Sequence, residues 1–164
     1  MRVLGVDPGT SVTGYGVVDV GAGDGAPRSL PQLGRLVECG IITLTPRSPL
    51  ARRLQELHEG IAGLIARHHP TTLALENAFY QKNVRTTLVL GHARGVVLLA
   101  AQQAGLDIFE YPPATIKKTV AGRGAARKLQ VAAMVARLLR LRQPPRPADA
   151  ADGVAVALTH ILRA

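Results

Sequence analysis

Cysteine is nearly absent from this chain. Cys39, in the apolar run LVECGIITL, is the only one, which excludes an internal disulfide and a Cys-based zinc site and leaves the residue as packing. No uninterrupted apolar run approaches the roughly 20 residues that cross a bilayer, and no cationic start, apolar block and cleavage site form a signal peptide. The expectation is a soluble, cytoplasmic protein with no membrane partner. Aromatic residues are scarce, with no Trp, three Tyr and two Phe, so the adjacent Phe79 and Tyr80 in the polar loop NAFYQKNVR stand out. One further shortage is local: from Tyr111 to Ala148 there is no Asp or Glu, while Lys117, Lys118, Arg123, Arg127, Lys128, Arg137, Arg140, Arg142 and Arg146 all fall there.

Over the whole chain, 20 Lys and Arg stand against 11 Asp and Glu, a net charge of +9, and such an excess favours a polyanionic partner. Arg137 and Arg140 read as a solvated helical face. Lys117, Lys118 and Lys128 flank the loop AGRGA and read as phosphate contacts. A length of 164 residues is enough for one domain, residues 1–164, with a sizeable core.

Hydrophobic periodicity predicts strands over RVLGVD, TGYGVVDV, LVECGIITL (36–44), TLALE (72–76) and DIFEY, with GAGDGAPRSLPQL as a loop. Helices are predicted over PLARRLQELHEGIAGLIARHH, stopped by Pro70, over Val84 to Ala104, around ATIKKTV, from Ala126 to Leu141, and from near Pro147 onward. Three strands, a helix, a strand, a helix, a strand and further helices make an α/β order.

Four carboxylates then stand out. Asp7 and Glu76 end predicted strands, where α/β sheets place their sites. Asp149 and Asp152, three apart in PADAADGVAVALTH, project from one face of a helix's first turn. Each alone has a plainer reading, a turn residue for Asp7, a strand end for Glu76, a helix cap for either of the others. Together, in a basic chain, they form an oxygen-only ligand set for Mg2+ or Mn2+, two of which can drive phosphodiester hydrolysis. His160, two turns beyond Asp152 in an apolar helix, reads as packed.

The segments GVDPGTSVTGYGVV, LALENAFYQKN, LGHARGV, TIKKTVAGRGAARKLQV and ADAADGVAVALTH, in this order, resemble the RuvC-type Holliday-junction resolvases of the ribonuclease-H-like superfamily. The resemblance implies a five-stranded mixed sheet flanked by helices, a homodimer, and Mg2+-dependent paired nicking of four-way junction DNA, coupled to a RuvAB-type branch-migration complex. It places the catalytic, metal-binding set on Asp7, Glu76, Asp149 and Asp152, and supports Phe79 as a base-stacking residue. The DNA-binding set read from charge and position is Lys82, Arg85, Lys117, Lys118, Arg123 and Lys128 beside Phe79, with Gln81 and Asn83 as nearby phosphate contacts and Tyr80 as packing. Asn77 and Gly153 depart from the commoner family pattern, and Gly153 lowers helix propensity by about 1 kcal/mol relative to Ala. A sugar-kinase-like phosphotransferase is the competing enzyme class, since DPGT also resembles that superfamily's first turn, although those enzymes use two such domains. A non-catalytic junction-binding module is the third reading. The helix from Val84 to Ala104, apolar around much of its circumference, calls for burial on more than one side, and Gly91 and Gly95 would let two copies approach. The alternative is a central helix buried wholly within one subunit.

Overall fold

The carboxylates are placed by a sheet whose inner strands are apolar on both faces. The computed structural model describes residues 1–21, 33–78 and 82–164. Phe79, Tyr80, Gln81 and nearly all of the loop GAGDGAPRSLPQL lie outside the described residues. Strands β1 (Arg2–Asp7), β2 (Val12–Asp19), β3 (Arg35–Thr43), β4 (Thr72–Glu76) and β5 (Asp107–Tyr111) form one sheet in the order β3-β2-β1-β4-β5. The β1–β2 and β2–β3 pairs are antiparallel, β1–β4 and β4–β5 parallel, so the sheet is mixed as expected.

Alternation along each strand divides the core into two layers. Val3, Val18 and Ala74 pack with Ile116 and Val120 of α3 (Pro113–Ala121), Val131 and Val135 of α4 (Lys128–Leu138), and Val154 and Leu158 of α5 (Ala148–Arg163). On the opposite face, Leu4, Val6, Leu73 and Leu75 pack with Leu57 and Ile61 of α1 (Leu50–His68) and Ala93 and Val97 of α2 (Val84–Gln103). Each fully buried Leu or Val contributes roughly 1.5–3 kcal/mol relative to exposure. Cys39 packs at the margin of the α5 layer, and burial pushes its thiol up.

The helix ends follow local chemistry. His69, at φ 46°, closes α1 with its N–H donating to Ile65 O at 2.9 Å, just before Pro70. Gly122, at φ 77°, closes α3, a left-handed position that suits glycine. Helix α4 is shorter than the predicted Ala126 to Leu141. Ala126 is a buried loop residue, and Arg140, at φ 54°, turns the chain so that Leu141 N–H donates to Ala136 O at 2.8 Å.

Helix α2 and Gly153 are each placed by packing. Helix α2 is, by length and composition, apolar enough to cross a membrane. It instead packs Ala93, Val97, Ala100 and Ala101 against the α1 side of the sheet and ties Arg94 to β5. Nor is it wholly buried: Val84, Leu88 and Leu99 are 75%, 60% and 52% exposed, and Cβ atoms at Gly91 and Gly95 would touch nothing. Gly153 lowers helix propensity but serves the packing, because a Cβ there would lie 2.5 Å from Tyr15 N and 2.6 Å from Tyr15 C. Gly5, Gly14 and Gly16 beneath α5 are crowded in the same way by its backbone, so the helix lies directly on β1 and β2.

Candidate active site

Close contact of α5 with the sheet is what brings its first turns to the strand ends. Asp7 closes β1 opposite Gly14, and a Cβ on Gly14 would strike Asp149 O. Glu76 closes β4 opposite Tyr111. Neither aspartate caps α5, because Pro147 occupies the N-cap and no side chain bonds there; the helix-cap alternative for Asp149 and Asp152 is set aside. Asp7, Glu76 and Asp152 line one cavity of about 210 Å³, walled by Ile116 and Lys117 from α3, Lys128 and Val131 from α4, and Ala155 from α5. Asp149 stands at the rim. Its side chain is 47% exposed against 16% for Asp152, and Lys128 Nζ lies 3.8 Å from Asp149 Oδ1 and 2.9 Å from Asp152 Oδ2.

Electrostatics show how short of positive charge the cavity is. Burial, reinforced by repulsion from Glu76 and Asp152, pushes Asp7 up to about 8. Glu76 is raised by burial and by Asp152, with Lys117 and Lys128 opposing. Lys128 is held above its ordinary value by its hydrogen bond to Asp152. A carboxylate oxygen set that resists ionising for lack of a counter-charge suits a hard divalent cation. Among the described residues no group of three or more Asp, Glu, His or Cys side chains is gathered so as to hold a metal ion; Lys128 bridges Asp149 and Asp152 instead. In donor chemistry, all oxygen and acidic, the residues present fit such an ion.

The basic residues divide. Lys117 and Lys128 belong to the cavity, whereas Lys82, Arg85, Lys118 and Arg123 are exposed outside its lining. Asn83 caps α2, its Oδ1 accepting from Thr86 N–H at 3.2 Å. His160 is packed, with Nδ1 2.8 Å from the Tyr111 hydroxyl and its ring 4.5 Å from that of Phe109. Sequence reasoning passed over Arg94 and Glu110, which pair behind Glu76. The available signal was Arg94, a charged residue in the apolar middle of the helix from Val84, a position that requires a partner.

The family model for crossover junction endodeoxyribonuclease RuvC matches residues 3–160. A crossover junction endodeoxyribonuclease RuvC of Pelotomaculum thermopropionicum is 47% identical over 160 residues, covering 98% of this chain and 92% of its own. One of Halorhodospira halophila is 50% identical over 159 residues, covering 97% and 89%. Among solved structures, T. thermophilus RuvC in complex with Holliday junction substrate has a TM-score of 0.87 at 35% identity, covering 99% of this chain and 94% of that one. The yeast mitochondrial Holliday junction resolvase Ydc2, at 13% identity and a TM-score of 0.68, shares the fold alone. The chain therefore belongs to the RuvC family of crossover junction endodeoxyribonucleases, metal-dependent DNA hydrolases with a ribonuclease-H-like α/β fold.

Proposed function

We propose that this chain, acting as a single nuclease domain in the cytoplasm, resolves four-way DNA junctions in recombination and repair by phosphodiester hydrolysis at the cavity of Asp7, Glu76 and Asp152, with Asp149 at its rim. The observation that carries the reading is that β1, β4 and α5 each deliver a carboxylate to one cavity that also holds Lys117 and Lys128. Family membership carries dependence on a divalent metal ion. When bound, that metal supplies Lewis-acid activation of phosphate and water, and the four carboxylates suit two Mg2+ ions per site, with Mn2+ as a substitute.

The chain's own groups do the rest. Asp7, central to the set, gives up the proton that burial and the repulsion of Glu76 and Asp152 let it keep. Glu76, raised by burial and Asp152, is likewise eased into its ionised form by a cation. Lys128 exchanges its bond to Asp152 for a phosphate oxygen, and Lys117, on the α3 wall near Glu76, meets the same phosphate. Both then stabilise the negative charge on the phosphoryl oxygens as water attacks phosphorus and the P–O bond to the leaving sugar oxygen breaks. No covalent protein nucleophile takes part. Lys82, Arg85, Lys118 and Arg123, all exposed, hold the junction arms by phosphate contact, and Phe79 stacks on an opened base.

Two cuts on opposing strands need two sites, so the working unit is a homodimer. Val84, Leu88, Gly91, Gly95 and Leu99 recur at helical spacing and are all exposed on α2, a stripe that a second copy would cover. A RuvAB-type branch-migration complex is the further partner. The test is a synthetic four-way junction beside linear duplex of the same sequence, with and without Mg2+. Paired nicks confined to the junction and to Mg2+ are expected; metal-independent or unselective cutting overturns the proposal.

A further inference from the structure

The face of the sheet turned away from α5 holds a polar group that the proposed chemistry does not use. Glu76 shares the parity of Ala74, which packs on the α5 side, whereas Asn77 shares that of Leu75, which packs toward α1 and α2. Opposite Asn77, Arg94 reaches from α2 to β5, where its Nε donates to Glu110 Oε1 at 2.8 Å and its Nη2 to Oε2 at 2.6 Å. Glu110 Oε2 also accepts from Asn77 Nδ2 at 3.4 Å, a long bond, and Asn77 N–H donates to Tyr111 O at 2.9 Å. Arg94 further joins Asp7, Pro8, Glu76, Ala78 and Leu90 in lining a second cavity, of about 130 Å³, so that Asp7 and Glu76 border a space on each flank.

We propose that Arg94 is a positioning residue for Glu76, acting through Glu110 and Asn77. Glu76 is the last residue of β4, so the direction of its side chain depends on what holds the next residue. Asn77 is held twice, by its backbone to β5 and by its side chain to Glu110. Glu110 in turn is fixed by both of its oxygens. A two-bond guanidinium–carboxylate pair is the geometry that fixes orientation as well as charge. Arg94 is the less suited to bind a DNA phosphate, because its positive charge is already matched and two of its donors are spent on Glu110. The inference rests on the reading of Glu76 as a metal ligand.

The experiment measures Mn2+ binding directly, by electron paramagnetic resonance on the full chain without DNA, beside junction affinity, its salt dependence and thermal stability. Arg94→Met removes every donor at similar length, and should weaken Mn2+ binding roughly tenfold, at the low end of the range seen when a ligand loses its supporting partner. Arg94→Lys should fall between it and wild type. Junction affinity and salt slope should not change in either. Glu110→Gln, which nearly keeps the shape of the side chain, should show the same Mn2+ shift, and decides the matter if Arg94→Met does not fold. Unchanged Mn2+ affinity in a folded variant overturns the inference, as does weaker junction binding with a flatter salt slope, which would make Arg94 a phosphate contact. Failure of the underlying reading looks different, since Glu76→Gln would then leave Mn2+ binding intact.

Discussion

Gly153→Ala opposes two effects that differ in sign, and the structure decides between them. In an isolated helix the change is favourable by about 1 kcal/mol, because glycine loses more backbone freedom than alanine on becoming helical. In α5 the new methyl would meet Tyr15 N at 2.5 Å and Tyr15 C at 2.6 Å, atoms of a paired strand that has no rotamer through which to yield. Tyr15 is held by register with Val6 on one side and Gly40 on the other. Forcing extra carbon into a packed core costs roughly 1–3 kcal/mol, more when only backbone can move. The cost exceeds the gain, and the net loss should be about 1–2 kcal/mol. In a domain of this length each kcal/mol moves Tm by roughly 2–4 °C, so thermal unfolding of Gly153→Ala should begin several degrees early. Displacement of the first turn of α5 should also slow junction nicking, since Asp149 and Asp152 ride on it. A Tm equal to or above that of wild type would refute the packing argument and return Gly153 to a matter of helix propensity.

Other outcomes follow from the same site and surface. Lys128→Ala should lower the log–log salt slope of junction binding by about one, and should reduce single-turnover nicking more than affinity, because Lys128 faces the carboxylates; equal losses in both would make it a plain phosphate contact. In metal-free buffer, Asp7 at about 8 in place of its ordinary 3.8 means that between those values the folded chain keeps a proton the unfolded chain has lost, so stability falls as pH rises through that window. Glu76, also raised, adds in the same direction, while His160, held low by burial, opposes it below its ordinary 6.5. Asp7→Asn should therefore flatten the fall of Tm between about pH 5 and 8, and an unaltered slope would contradict the electrostatics. Leu88→Arg on the exposed stripe of α2 should leave a folded monomer in sedimentation that nicks junctions singly; a variant that still sediments as a dimer would place the subunit contact elsewhere.

Much of the fold was legible because the strands declare themselves. RVLGVD and TLALE run through apolar residues to a carboxylate, and a buried strand that ends on charge is costly unless that charge is used. The shared cavity of Asp7, Glu76 and Asp152 follows from that pattern together with the spacing of the α5 aspartates. Long-range pairing was not legible. The Lys128–Asp152 and Arg94–Glu110 contacts join residues 24 and 16 apart in sequence, and nothing local names the partner of either charge. The role of Gly153 was not legible because propensity is a property of a helix alone, whereas that role is set by the strand beneath it. Helix α2 is apolar around much of its circumference, so its periodicity could not say which face the sheet takes and which stays exposed.

The central claim is that Asp7, with Glu76, Asp149 and Asp152, forms the metal-dependent centre that cuts the junction. Its most direct test is single-turnover nicking of a four-way junction by Asp7→Asn at saturating Mg2+, with junction affinity measured on the same preparation. Loss of a central ligand removes several kcal/mol of transition-state stabilisation, which corresponds to a rate at least about a hundredfold lower. Affinity, which rests on phosphate contacts, should stay within a few-fold of wild type. Nicking by Asp7→Asn at close to the wild-type rate would contradict the account.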